Sequence, residues 1–439
     1  MNDSRAQVSV PTGWEDRCVS EVAEILDHLR VPVNSDERFQ RGGNVPYYGA
    51  NGLQGYIDKP LFNEPLILVA EDGGFFDEYE TRPIAYRISG PSWVNNHAHV
   101  LRPLPGVDFS FLFHSLEHKD IRWFIRGGTR SKLNQAELRS VRILLPSDLN
   151  EQGYVARILD AADDAIAKTE ALIAKLKAIK QGLLHDLLTH GLDDNGELRD
   201  PERHPEQFKD SSLGRIPIAW DVPTINDLAV HVGSGITPTG GSNVYKSEGV
   251  LFIRSQNVTF EGLLLDDVAY IDERTHRMMA RSEVFAHDIL LNITGASIGR
   301  CCPVPEDLGP ANVNQHVCAI RIAKPRREDA VFLSAVLASF IGQHQIDRLN
   351  AGSNRQGLNY QQLRSFLVPW PIDDAERTAV AARIELAESR IRVEQNYLSK
   401  LKAIKKGLMQ DLLTGRVRMM DCSSDSHGGI LMREVSDGI

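Results

Sequence analysis

Lys175–Thr189 reads KLKAIKQGLLHDLLT, and Lys400–Thr414 reads KLKAIKKGLMQDLLT. Twelve of the fifteen positions are identical at an offset of 225 residues. The same offset pairs Gly127 with Gly352, Arg130 with Arg355, and Leu133-Asn134 with Leu358-Asn359. It continues through Leu138-Arg139-Ser140 and Leu363-Arg364-Ser365 to Pro146 and Pro371. A loop, a strand-like segment and a helix thus repeat in register, which marks an internal duplication. Each half also opens alike, PTGW at Pro11–Trp14 and PIAW at Pro217–Trp220, with an offset of 206. The first variable region is therefore 19 residues shorter than the second. A weaker echo joins Asn95, His99 and Val100 to Asn312, His316 and Val317.

The repeated helices carry apolar residues at three- and four-residue steps. Leu159, Ala162, Ile166, Ile173, Leu176, Ile179 and Leu183 define the first seam; Ile384, Ala387, Ile391, Leu398, Leu401, Ile404 and Leu408 define the second. That spacing over several heptads predicts a coiled-coil seam. A helix over Gln152–Thr189 would be about 57 Å long at ~1.5 Å per residue. Such a helix overhangs a domain of roughly 150 residues, so pairing with its duplicate is the natural way to bury the seam.

The expected fold class is α/β (α+β), two globular units in tandem separated by two long helices forming an antiparallel coiled coil. The expected divisions are a first unit over 1–149, a central helix over 150–190 and a linker over 191–212. A second unit over 213–372, a distal helix over 373–415 and a flexible tail over 416–439 complete the chain. The linker segment GLDDNGELRDPERHPEQFKDSS is polar and turn-rich. Strands are expected at Leu66–Ala70, Leu251–Arg254 and Asp288–Thr294, and a helix at Asp329–Gly342.

The chain has 439 residues, of which 42% are hydrophobic and 25% charged, as in globular proteins of two or three domains. The N-terminal segment lacks an apolar signal core, and the longest near-apolar run, Ala330–Ile341, is too short to cross a bilayer. Five cysteines without metal-like spacing fit reduced cytoplasmic thiols. The formal charge of −10 argues against a general nucleic-acid binder. A DNA reader with this balance concentrates its cations or borrows them from a partner. One local excess exists: Lys119, Arg122, Arg126, Arg130, Lys132, Arg139 and Arg142 face only Asp120 and Glu137.

No phosphate loop, methyltransferase Pro-Pro-Tyr segment, glycine-rich cofactor loop or nucleophile elbow occurs in the sequence. His97-x-His99 lacks a Cys or carboxylate at ligand spacing, Cys301-Cys302 read as small buried residues, and Glu71-Asp72 reads as a turn before Gly73-Gly74. No catalytic or metal-ligating residue is therefore expected.

Two variable regions, each followed by a helix ending LKAIKxGLxxDLLT, resemble the specificity subunits of type I restriction-modification systems. PYYGANGLQGYID (Pro46–Asp58), DILLNITGASIGR (Asp288–Arg300) and NRQGLNYQQLRSFLVPWP (Asn354–Pro371) are similar to segments of that family's target-recognition domains. The resemblance implies a cytoplasmic, non-catalytic DNA reader. Each globular half would read one part of a split, asymmetric duplex site, and the helices would set the gap. Two methyltransferase subunits would dock on the helices, with restriction/translocase subunits added. S-adenosylmethionine, ATP and Mg would belong to those partners.

For DNA contacts, positions shared by the halves suit phosphate anchoring and positions that differ suit base reading. Arg130 and Arg355 are the expected phosphate ligands, with Asn134 and Asn359 nearby as ligands or turn-closing residues. Lys132 and Gln356 occupy the same loops but differ. Tyr47, Tyr48, Asn51 and Gln54 offer further groups in the first half; Arg254, Gln256, Asn257, Thr294, Ser297 and Arg300 do so in the second. Arg suits guanine, and Asn or Gln suits adenine. Two other classes compete: a self-sufficient methyltransferase or nuclease, and a helix-pair protein-interaction scaffold without direct DNA reading.

Overall fold

A computed structural model describes residues 10–127, 131–236, 244–350, 357–420 and 431–434. The two repeats lie in the longest helices, α1 (Leu149–Thr189) and α2 (Asp374–Leu412). Neither has an internal proline, and good helix formers (Ala, Leu, Lys, Glu) fill the exposed positions. The chain divides into two compact units, Met1–Glu170 with Tyr397–Ile439, and Ala171–Asn396. The first unit's core includes Val155, Ala156 and Leu159 from the start of α1 and Leu412 from the end of α2. The second unit's core includes Leu187 and Leu188 from the end of α1 and Val380, Ala381 and Ile384 from the start of α2.

Each unit carries two four-stranded sheets. In the first unit these use β1 (Ala23–Ile25), β2 (Val45–Gly49), β3 (Gly52–Ile57), β4 (Phe62–Asn63), β5 (Leu66–Ala70), β6 (Ala85–Ile88), β7 (Pro91–Val94) and β8 (Ala98–Pro103). The orders are β1-β8-β5-β6 and β3-β2-β7-β4. The second unit uses β9 (Ala229–Ser234), β10 (Val250–Ile253), β11 (Ala269–Ile271), β12 (Glu283–Val284), β13 (Ile289–Asn292), β14 (Cys301–Pro303), β15 (Ala311–Val313) and β16 (Val317–Ile322). Its orders are β9-β16-β13-β14 and β11-β10-β15-β12, the same paths through the same sequence of strands. Both units pair β2 with β7 and β10 with β15 in parallel, and nearly every other ladder is a short antiparallel one. Central β5 reads LILVA and is buried at every position, as a strand covered on both faces must be.

Matched aromatic contacts close each core against its entry segment. Trp14 meets Phe111 edge-on at 6.2 Å, and Trp220 meets Phe332 edge-on at the same 6.2 Å. The PTGW and PIAW segments thus supply the tryptophan of each core.

Three expectations change. The helix expected over Asp329–Gly342 is two, Arg327–Ala338 and Phe340–Asn350, broken at Ser339. The segment 191–212 is folded into the second unit: Leu192 and Phe208 are buried, and Phe208–Ser211 pairs with Gly214–Pro217. The start of the expected tail is also built in. Val417–Met420 pairs with Leu431–Glu434, and the Arg418 guanidinium lies 2.6 Å from the buried Glu151 carboxylate.

The seam differs in one register position. Ile173 is buried, but Ile179 and Ile404 are each 55% exposed. Lys180 and Lys405 take the inward position instead. Within the second unit the Lys180 ammonium lies 2.7 Å from Glu388. Within the first unit Lys405 lies 2.5 Å from Asp163, and Lys402 lies 2.7 Å from Glu170. From Ile173, a heptad step reaches residue 180, not 179; the apolar side chain at 179 falls one position off the stripe.

Candidate nucleic-acid interface

The repeated loops are anchored in the same way in both units. In the first, Lys132–Leu133 follows the basic run, and the Leu133 N–H donates to the Glu71 carbonyl at 2.7 Å, just past β5. Asp72 and Lys132 form a bridge beside it. In the second, the Leu358 N–H donates to the Ile293 carbonyl at 2.8 Å, just past β13, and Thr294 bridges Gly357. Left-handed glycines follow each strand end, Gly73 at φ +65° and Gly295 at φ +78°, where a side chain would be strained.

A buried polar network stiffens the base of the first loop. His99 Nδ1 lies 2.6 Å from the Asp27 carboxylate, and its Nε2 lies 2.8 Å from the Leu133 carbonyl. The Gln135 amide donates to Asp27 at 3.0 Å. Glu71 holds Arg30 at 2.6 Å and Lys132 at 2.9 Å. Burial alone would raise the Asp27 and Glu71 carboxyls, but these partners outweigh it and hold both below the usual range. A segment set on a satisfied network keeps its geometry whether or not a ligand is bound.

Asp27, Glu71 and His99 bring ligand-type atoms within 4.8 Å of one another, as do His114, Asp160 and Asp163. Their oxygens are already shared with cations: Arg30 and Lys132 in the first group, Arg87 and Lys405 in the second. Both groups are ion-pair networks whose charge is balanced by the chain itself.

Among the sequence-derived candidates, Arg130, Arg355 and Gln356 lie outside the described residues. Asn134 begins the helix Gln135–Ser140 but makes no side-chain cap, and it is exposed. Asn359 is different: its side-chain Oδ1 accepts from the Gln362 N–H at 2.8 Å, a reciprocal cap on Tyr360–Arg364. The turn-closing role is thus the one Asn359 fills. Asn51 is exposed and donates to the Gly73 carbonyl at 2.9 Å; Gln54 is exposed and accepts from Asn95 at 3.2 Å. Thr294 and Ser297 are half-buried, and Arg300 is exposed.

Two candidates are corrected. Tyr47 is 1% exposed, with its hydroxyl donating to the Val33 carbonyl at 3.0 Å, so it is core. Asn257 is also buried, and its amide donates to the Leu264 and Asp267 carbonyls while its oxygen accepts from the Arg254 N–H. Both occupy turn-rich stretches whose polar atoms are consumed internally. Arg254 is half-buried and Gln256 exposed, and both reach the exposed Asp267 carboxylate.

The sequence reading missed a pair of histidines by mis-setting its register. The parallel ladders align Val94 with Val313, each following the matched strand pair. Asn95 then matches Asn314, and His97 matches His316, an offset of 219. The hydrogen bonds agree. Asn95 accepts from the His97 N–H at 2.8 Å, and Asn314 accepts from the His316 N–H at 3.0 Å. The signal was present as Val-Asn-x-His in both halves. A two-residue slip preserves strand alternation, so hydrophobic pattern could not separate the registers.

Comparisons with known proteins define the class. The type I restriction modification DNA specificity domain matches residues 11–178. A Haemophilus influenzae protein grouped with type I restriction enzyme specificity subunits is 36% identical over 143 residues, 33% of this chain and 36% of that protein. The chain thus matches about a third of that relative's length. The type I restriction enzyme MjaVIII specificity subunit of Methanocaldococcus jannaschii is 25% identical over 426 residues, 93% of this chain and 94% of that one. The crystal structure of the type I restriction-modification S subunit from M. genitalium shares the fold, with a TM-score of 0.59, 15% identity, and coverage of 92% of this chain and 96% of that one.

The class it resembles is that of the specificity subunits of type I restriction-modification systems. Over nearly its whole length the chain is similar to the S subunits of those systems.

Proposed function

We propose that this chain is the sequence-specific DNA-recognition subunit of a type I restriction-modification enzyme, built by tandem duplication. Each globular unit reads one part of a bipartite, asymmetric duplex site. The observation that carries this reading is the repeated loop anchor, Leu133 on Glu71 and Leu358 on Ile293, with different side chains around an identical frame. A constant frame with variable contents is what separate half-sites require.

The two long helices act as an antiparallel coiled coil that sets the gap between half-sites. Lys405–Asp163 and Lys180–Glu388 support this, since each joins a residue late in one helix to one early in the other. The same helices dock two methyltransferase subunits. Ile179 and Ile404 lie in the repeated LKAIK sequence yet expose more than half their surface, as an apolar contact awaiting a partner does. S-adenosylmethionine, ATP and Mg serve the methyltransferase and restriction subunits, whose charge also supplements the chain's −10 on DNA. No helix among the described residues is long and apolar enough to cross a membrane, which suits work on cytoplasmic DNA.

Methylome sequencing of a host with and without the gene tests the reading. A bipartite motif that vanishes with the gene is expected, and exchange of one globular unit should rewrite one half of it. Unchanged methylation in the deletion would overturn the proposal.

A further inference from the structure

His97 and His316 occupy one position in two units of different sequence. Each backbone N–H is held by an asparagine side chain, and each carbonyl accepts from the residue after a central strand: Glu71 N–H to His97, Ile293 N–H to His316, both at 2.9 Å. Each ring is then fixed at Nδ1. His97 Nδ1 lies 2.6 Å from the Asp72 carboxylate, and His316 Nδ1 lies 2.6 Å from the Thr294 hydroxyl. Asp72 and Thr294 are the very residues that bridge the anchored loops at Lys132 and Gly357.

Both rings stand at the surface. The His97 side chain is 47% exposed and its Nε2 has no partner among the described residues. His316 is half-buried, and the exposed Gln315 amide lies 2.8 Å from its Nε2. The His97 ring, tethered through one nitrogen beside the cationic run, presents the other in a fixed direction; at His316 the exposed Gln315 amide gives way to the duplex first. That pre-set geometry costs little entropy on binding.

We infer that His97 and His316 are equivalent DNA-anchoring residues, each donating Nε2–H to a backbone oxygen of the duplex next to its loop, with His97 carrying a proton on both ring nitrogens when it bridges Asp72 and the duplex. This rests on the DNA-reading function proposed above. Recurrence in both units assigns a contact needed at every half-site, so the contact is to backbone and not to a particular base.

The test uses the full chain assembled with its methyltransferase partners and two duplexes, one bearing the motif found by methylome sequencing and one lacking it. His97→Asn keeps a donor near the Nδ1 position, so the Asp72 tether survives, but removes Nε2. His97→Gln places an amide nitrogen near the Nε2 position instead. His97→Asn is expected to weaken binding to both duplexes roughly tenfold, as loss of one buried hydrogen bond does, with His97→Gln closer to wild type. His316→Asn and His316→Gln should rank the same way, and the methylated motif should stay unchanged. Asparagine binding as well as or better than glutamine would overturn the inference, because the ring would then serve only to brace the loop. A motif altered at one base would overturn it too, because the contact would then be a reading one. In either case wild type still selects the motif duplex; failure of wild type to do so would sink the DNA-reading function itself.

Discussion

The Lys405 ammonium lies 2.7 Å from the Glu117 carboxylate, in a cluster that its sequence counterpart, Lys180, lacks. Lys405 also meets Asp163 at 2.5 Å and is 7% exposed, whereas Lys180 meets Glu388, whose side chain is 38% exposed. Removing a buried cation leaves two carboxylates uncompensated, which costs on the order of 3–5 kcal/mol. The Lys180–Glu388 pair is only half-buried, so water reaches the carboxylate left behind and the loss is smaller. Lys405→Ala should therefore lower the thermal midpoint well beyond Lys180→Ala, despite identical local sequence. Equal midpoints in the two variants, read by calorimetry, would contradict the burial difference.

Glu117 makes the same cluster sensitive to acid. Burial tends to raise its carboxyl, but the His114 ring 3.6 Å away and the Lys405 charge outweigh it and bring it down to about 2. A depressed carboxyl stabilises the fold above its unfolded value, near 4.5, and that contribution fades as pH falls toward about 2. Wild type should lose stability steeply over this window, while Glu117→Gln should be weaker at neutral pH and fall less on acidification. Parallel pH–stability curves for the two proteins would show that Glu117 is not the group responsible.

Gly191 closes α1 in the left-handed region, at φ +65°. A Cβ there would meet Trp220 at 2.5 Å and the Arg199 guanidinium at 2.7 Å. Arg199 in turn holds the buried Glu376 carboxylate at 2.6 Å. Gly214 is also left-handed, at φ +94°, but a Cβ there meets nothing within 4 Å. Gly214→Ala should cost about 1–2 kcal/mol of backbone strain. Gly191→Ala should cost that plus roughly 1–3 kcal/mol of overpacking. Chemical denaturation of the two variants measures the gap; no difference would mean the Trp220 side relaxes freely.

Much of this architecture could be read from the repeat. The 225-residue offset located both helices and the loop anchors, because duplicated backbone hydrogen bonds need duplicated spacing. Side-chain fate was less legible. Tyr47 and Asn257 sit in polar, turn-rich segments, and only tertiary contacts reveal that Val33 and Asp267 consume their polar atoms. The polar stretch 191–212 hid its docking because just a few residues, Leu192 and Phe208 among them, hold it to the core. Ile179 misled for the opposite reason: it is apolar and near the period, but a charged pair holds the inward position.

That misfit supplies the sharpest test of partner docking. Ile173 is 9% exposed, so Ile173→Asp should destabilise the chain by burying a charge without a partner. Ile179 and Ile404 are each 55% exposed, so Ile179→Asp and Ile404→Asp should leave the unfolding free energy within about 0.5 kcal/mol of wild type, as surface changes do. If the repeated isoleucines seat methyltransferase subunits, each charged variant should lose one of the two subunits, and the double variant both. Size-exclusion chromatography with light scattering counts them directly. Two subunits retained by the double variant would place the docking surface elsewhere on the chain.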